Sequence, residues 1–173
     1  SHSIASLPGM HERCVVLNGF SKAYAMTGYR IAYALGNAAI IDAMMKIHQY
    51  SMLCASSIAQ AAAIEALKHG ASQREEMRQE YEQRRNLIVK RFNQMGLNCF
   101  MPRGAFYVFP RISASGMSSH EFATRLLHEK KVAVVPGTAF GSCGEGFVRC
   151  SYATSMQDIE IALQRIGEFI GHC

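Results

Sequence analysis

Two short apolar runs, Val15-Val16-Leu17 and Ile31-Ala32-Tyr33-Ala34-Leu35, bracket a stretch of small residues that carries one lysine and one arginine. The first run reads as a buried strand and stops at Asn18-Gly19, a turn signal. The second reads as its partner strand and ends at Gly36. Between them lies Ser21-Lys22-Ala23-Tyr24-Ala25-Met26-Thr27-Gly28-Tyr29-Arg30. Lys22 is therefore expected on a loop held between two strands, with a second fixed cation eight residues later. A lysine held in this way can be desolvated, which lowers its pKa and makes its amine nucleophilic. An arginine so held grips a phosphate or carboxylate with its planar fork.

Composition narrows the classes that remain. The chain has 173 residues, 49% apolar and 18% charged, enough to bury a core and unlike a disordered segment. Its net charge is +5, but the basic residues between Arg74 and Arg91 alternate with Glu75, Glu76, Glu80 and Glu82. That pattern is a solvated helix face rather than a nucleic-acid patch, so no nucleic acid is expected as a partner. No apolar run reaches the ~20 residues that span a bilayer, and no membrane partner is expected. The cysteines at 14, 54, 99, 143, 150 and 173 have no C-x-x-C spacing, which predicts reduced thiols in a cytoplasmic protein. His120 and His128 lack a third ligand, and no metal site is expected.

Along the chain, residues 1–14 read as a connector with a turn at Pro8-Gly9. Asn37 is placed to cap a helix whose Ile40, Met44 and Ile47, with Ile41, Met45 and His48 beside them, form one apolar face, read as core packing. An alanine-rich helix over 56–69 ends at Gly70, its alanines implying a close neighbour. Ser72-Gln73-Arg74-Glu75 has capping-box spacing and opens a long helix ending at Gly96, with Met77, Tyr81, Ile88, Phe92 and Met95 as its apolar stripe. Strand, turn and strand are expected at 98–101, 102–104 and 105–109, with Gly104 permitting the turn or a close approach. Ser118-Ser119-His120-Glu121 caps a helix with Phe122, Leu126 and Leu127 inward; a strand at 132–135, a glycine-rich loop at 136–146 and a strand at 147–152 follow. Ser155 caps the last helix, with Ile159, Ala162, Leu163, Ile166 and Ile170 inward.

The fold class expected is α/β. Residues 1–70 read as the end of a larger α/β domain, 71–96 as a long linking helix, and 97–173 as a small α+β domain with an antiparallel sheet. In that last part, alternation puts Val148 and Cys150 on one strand face and Arg149 on the other. An arginine in an apolar strand calls for an anion: either an internal carboxylate such as Glu145, or a ligand.

A bare Ser-Lys is more often a solvated surface pair, but here Met26, Thr27, Gly28 and Arg30 stand in register with it. Ser-Lys-x-x-x-Met-Thr-Gly-x-Arg resembles the cofactor-lysine motif of the class I/II aminotransferases, the fold-type-I enzymes that use pyridoxal phosphate. Pro102-Arg103-Gly104-Ala105-Phe106-Tyr107-Val108-Phe109 resembles that family's P-x-G-A-F-Y-x-F segment, and its aromatics are read mostly as core. Pro136-Gly137-Thr138-Ala139-Phe140-Gly141 resembles its P-G-x-x-F-G loop, read as a wall of the site and not as a phosphate cradle. Phe147-Val148-Arg149-Cys150-Ser151-Tyr152 resembles its substrate-arginine strand.

The resemblance covers nearly the whole chain and corresponds to the C-terminal half of the family's fold. It implies that Lys22 is catalytic and bonds covalently to the cofactor aldehyde, that Arg30 binds the cofactor phosphate, and that Arg149 holds the substrate α-carboxylate. Ser21 stands beside the lysine where Gly19 departs from a serine that many members use on the phosphate. Implied too are pyridoxal 5'-phosphate as cofactor, an amino acid and a 2-oxo acid as substrates, and a homodimer in the full-length protein. No residue here matches the family's acid against the pyridine nitrogen: Asp42 lies in a helical pattern and Asp158 in a cap. The ring-stacking aromatic and the phosphate-binding glycine-rich turn are likewise unmatched. The chain opens Ser1-His2-Ser3, without methionine, and reads as a fragment that alone binds cofactor poorly and does not transaminate. The same residues fit C–S lyase or decarboxylase chemistry, or the aminotransferase-like module of a transcription regulator.

Overall fold

In the computed structural model, residues 3–171 are described; Ser1, His2, His172 and Cys173, which the sequence reading counted in the connector, the histidines, the last domain and the thiols, lie outside them. The chain divides into two compact units, one reaching Glu76 and one starting at Met77.

The first unit is built on an antiparallel pair. Strand β1 (Val16–Gly19) runs straight into a one-turn helix α1 (Phe20–Ala23), and β2 (Ala32–Leu35) pairs with β1 through Val16↔Leu35 and Gly19↔Ala32. Asn18-Gly19 thus lies in the strand and is not the turn the sequence promised; the reversal is made later, through a 3-10 turn at Thr27–Tyr29. Helix α2 (Ala38–Ser51) is capped as expected, the Asn37 side chain accepting the Ala39 N–H at 2.9 Å. Helix α3 (Ser57–His69) lays Ala59 and Ala63 against Phe20, Met26 and Ile31, the small core of this unit. Alanine at those positions lets the helix backbone approach the Phe20 ring, which also meets Tyr24 at 5.4 Å and Tyr33 at 5.6 Å.

Two expectations fail here. The methionine stripe of α2 is not core: Met45 is 50% and Ile47 72% exposed, and no residue of α2 is buried. A 3.6-residue period shows that a helix has an apolar face, but not what covers it. Leu17, in the strand expected to be buried, is 71% exposed, since an apolar run does not show what covers it either.

Helix α4 (Ala71–Gln94) starts directly after Gly70, which alone separates it from α3. Ser72 makes no cap; its hydroxyl donates to Gln73 Oε1 at 2.9 Å. Gly70 is required because a Cβ there would lie 2.6 Å from the Ala66 carbonyl oxygen and 3.2 Å from the Tyr24 ring. The helix's charges pair one turn apart, Arg78 with Glu82 at 2.9 Å and Arg84 with Glu80 at 2.8 Å, the solvated face the alternation predicted.

The second unit holds the larger core. A three-stranded antiparallel sheet, in the order β3 (Tyr107–Val108), β5 (Val148–Ser151), β4 (Val135–Pro136), carries Val108, Val148 and Cys150 inward. Onto it pack Ile88, Val89 and Phe92 of α4, Phe122 and Leu126 of α5 (Ser119–Lys130), and Ile159, Leu163, Ile166 and Phe169 of α6 (Met156–Ile170). Leu127, expected inward, is 46% exposed. The expected hairpin is reduced to an isolated bridge between Cys99 and Pro110, since β3 pairs with β5 instead. At its turn the left-handed residue is Ala105 (φ 61°), while Gly104 meets open space. Both serine caps form: Ser118 accepts the Glu121 N–H at 3.2 Å and Ser155 the Asp158 N–H at 3.1 Å.

Candidate active site

The first unit carries an amine and a guanidinium on one short segment. Lys22 sits in α1, a single helical turn rather than a loop, and is exposed; the described residues do not supply the covering that would desolvate it. Ser21 beside it is half-buried. The segment's ends are tied where the Phe20 N–H donates to the Ile31 carbonyl at 3.3 Å. Arg30 follows the 3-10 turn in the left-handed region (φ 52°, ψ 46°) and donates from one guanidinium nitrogen to the Thr27 carbonyl at 2.9 Å. That bond folds the side chain over its own turn. Arg30 lines a broad concavity of about 1210 Å³ with Asn18, Tyr29, Met44, His48 and Ala55, a wall that Lys22 and Ser21 do not join.

The second unit carries the other guanidinium. Arg149 lies on the central strand β5, paired with Val135 of β4. Its neighbours Val148 and Cys150 are buried, so Arg149 points to the opposite face, as the alternation required. Tyr107 on β3 pairs with Ser151, which puts its ring on that same face and diagonal to Arg149. Phe140 arrives from the other side, at the end of the 3-10 turn Gly137–Phe140 that follows β4. Both rings lie against the guanidinium: its carbon is 4.3 Å from the Tyr107 ring centroid and 4.4 Å from that of Phe140. Both separations are well inside cation–π range, each worth about 0.5–2 kcal/mol. The sequence pattern predicts Tyr107 as core and Phe140 as wall. The signal for the contact is parity, since 107 and 149 share a face once β3 is paired with β5.

Glu145, the internal carboxylate considered as a partner for Arg149, is used elsewhere. Its Oε1 accepts the N–H groups of Ser119 at 2.8 Å and Gly146 at 3.1 Å. These bonds, with the Ser119 backbone N–H first among them, hold its carboxyl below the usual carboxylate range. The Ser119 hydroxyl, fully buried, in turn accepts the N–H groups of Gly146 and Phe147 at 2.9 and 3.2 Å. Among the described residues no carboxylate forms an ion pair or hydrogen bond with Arg149. The loop over it is packed backbone on backbone: a Cβ on Gly137 would overlap the Gly144 carbonyl, and one on Gly144 would overlap the Gly137 carbonyl.

Other candidates are absent or occupied. Among the described residues no three His, Cys, Asp or Glu side chains form a metal-binding group, and no helix is long and apolar enough to cross a membrane. The Asp158 carboxylate accepts the hydroxyls of Ser155 and Thr154 at 2.7 and 3.1 Å, a capping role.

The family model described as aminotransferase class I and II matches residues 3–166, and the chain belongs to that family. The Bacillus subtilis (strain 168) protein YugH is 55% identical over 168 residues, 97% of this chain and 44% of that protein. An aspartate aminotransferase of Pyrococcus abyssi is 50% identical over 167 residues, 95% of this chain and 43% of that enzyme. The crystal structure of an aromatic aminotransferase from Pyrococcus horikoshii OT3 superposes with a TM-score of 0.92 at 47% identity, covering 99% of this chain and 46% of that one. The chain therefore spans less than half the length of the relatives it matches.

Members of this family use pyridoxal phosphate. The donor set here fits part of that group: a primary amine for its aldehyde at Lys22 and a guanidinium for its phosphate at Arg30, held on one segment closed by the Phe20–Ile31 bond. Of the two aspartates, Asp158 is bound in its cap and Asp42 lies on α2, so the partner for the pyridine nitrogen is not evident in this chain.

Proposed function

We propose that the protein to which this chain belongs transfers an amino group from an L-amino acid to a 2-oxo acid, with Lys22, Arg30 and Ser21 on the cofactor side and Arg149 on the substrate side. The observation that carries this reading is Arg149: a guanidinium against two aromatic rings, on a strand with buried neighbours, while Glu145, the internal carboxylate considered for it, is committed to another contact. Such a group presents its N–H edge for two parallel bonds to a carboxylate, and so fixes how an amino acid lies.

Bound pyridoxal phosphate supplies a sink for the electron pair left at Cα. Arg30 holds the phosphate by charge and directional N–H donors, and Ser21 adds a hydroxyl next to the lysine. The Lys22 amine would hold the cofactor aldehyde and, when free, would serve as the base that takes the proton from the substrate Cα. Arg149 keeps the carboxylate still while this happens, which restricts the Cα bond that faces Lys22.

In this reading residues 1–70 are the end of the large cofactor-binding domain, 71–96 the interdomain helix and 97–173 the small domain, and the full-length protein works as a homodimer. Free thiols at Cys14, Cys54, Cys99, Cys143 and Cys150 favour a reducing, cytoplasmic setting.

The test is spectroscopic. In the full-length protein, Lys22→Ala should abolish the imine absorbance of bound cofactor, and Arg149→Lys should raise KM for both amino acid and 2-oxo acid. An absorbance that survives the lysine substitution refutes the assignment. The 173-residue chain alone should take up the cofactor weakly and turn over no substrate; tight stoichiometric binding would contradict that.

A further inference from the structure

We propose that Tyr107 and Phe140 are positioning residues, which act through Arg149 by locking the plane of its guanidinium so that a flat carboxylate is met edge-on. The proposal rests on the reading of Arg149 as the carboxylate anchor and adds to it the source of the anchor's orientation.

The geometry points one way. With the Tyr107 and Phe140 rings centred 4.3 and 4.4 Å from the guanidinium carbon, two aromatic rings flank the group while its N–H donors stay open to a ligand. An arginine side chain has several rotatable bonds, and freezing them on binding costs affinity unless something has frozen them already. The two rings do so without satisfying a single guanidinium N–H, because stacking occupies the face and not the edge. An internal carboxylate would also hold the arginine still, but it would consume the donors. Among the described residues none does, and Glu145 is bound to Ser119 and Gly146.

Each ring is itself held. Tyr107 is fixed by β3–β5 pairing and by Phe106, whose ring centroid is 4.6 Å from its own. Phe140 is 52% exposed, so its placement is not a consequence of burial. It is set by the loop: Gly137 donates to the Phe147 carbonyl at 2.8 Å, Gly137 and Gly144 pack backbone to backbone, and Phe109 meets the Phe140 ring edge-on at 5.7 Å. A half-exposed phenylalanine fixed by a glycine-tight loop against a cation is an arrangement that hydrophobic packing does not require.

The 173-residue chain, labelled with 15N, tests this by NMR of the arginine Nε–Hε groups, with pyruvate as probe and chloride holding ionic strength constant. Arg149→Lys identifies the Arg149 signal. That signal should be displaced by two ring currents, and pyruvate should shift it further. Tyr107→Phe should match the parent. Tyr107→Leu and Phe140→Leu should each lose part of the ring-current displacement and bind pyruvate about fivefold more weakly. If both leucine variants bind pyruvate as the parent does while Arg149→Lys does not, the clamp is overturned and the carboxylate role stands. If Arg149→Lys also binds as the parent does, the carboxylate role fails and the clamp with it. Should Tyr107→Leu fail to fold, Phe140→Leu, at a half-exposed site, decides alone.

Discussion

The Glu145 carboxylate accepts the Ser119 backbone N–H at 2.8 Å across a sequence separation of 26 residues, joining the loop before β5 to the first turn of α5. A negative charge at a helix N-terminus is stabilised by the unpaired N–H groups there. Here the same contact closes the loop that presents Phe140 to Arg149.

This contact makes stability acid-sensitive. Hydrogen bonding lowers the folded-state pKa of Glu145 below its usual 4.5, so its contribution is present above that value and lost as pH falls through the lowered one. Denaturation midpoints measured from pH 7 to pH 3 should fall less steeply for Glu145→Gln than for the parent. Asp158 and Glu82 are lowered in the same direction, so some acid dependence should persist in the variant.

The hydroxyl beneath it should matter more than its size indicates. Ser119→Ala removes the hydroxyl that the N–H groups of Gly146 and Phe147 share with the Glu145 carboxylate and the Gly144 carbonyl, at a cost of about 0.5–1.5 kcal/mol in chemical denaturation. Gly137→Ala should cost about 3 kcal/mol, because the added Cβ meets backbone that cannot swing away. Ser119→Gly does not restore the acceptor and should resemble Ser119→Ala or be worse.

Thiol chemistry should sort by depth. Burial pushes the Cys99 thiol up to about 11, and burial together with the neighbouring Cys99 pushes Cys150 up to about 12. Cys54 and Cys143 are exposed. At pH 8, alkylation followed by peptide mass spectrometry should mark Cys54 and Cys143 within minutes and leave Cys99 and Cys150 unmodified until the chain is denatured, since the thiolate is the reacting form.

The uncovered apolar face should show itself in solution. Ile47 (72%), Tyr50 (93%) and Ile58 (74%) are large apolar side chains exposed on α2 and α3. The 173-residue chain should bind a hydrophobic dye and scatter light increasingly with concentration. Ile47→Lys with Ile58→Lys should reduce both signals without lowering the denaturation midpoint.

How much of this was legible beforehand depended on whether the signal was local. The caps at Asn37, Ser118 and Ser155 and the helix end at Gly70 were correct because each involves a few neighbouring residues. The outward direction of Arg149 followed from strand alternation alone. Burial of the α2 stripe was misjudged because exposure depends on residues that need not be near in sequence. The Ser72 cap failed because α4 begins one residue after Gly70, leaving no extended residue to serve as a cap. The aromatic clamp was invisible without knowing that β3 pairs with β5, which places residues 107 and 149 on one face.

Arg30 occupies a backbone conformation that an L side chain adopts at a cost of about 1 kcal/mol or more, and that glycine adopts freely. Screening variants of this chain for heat resistance alone would therefore favour glycine or asparagine at position 30 and discard the guanidinium that lines the concavity. Endurance and the proposed anion capture pull this residue in opposite directions. A directed-evolution campaign that rewards only the first would improve the protein while erasing one of its two proposed cofactor anchors.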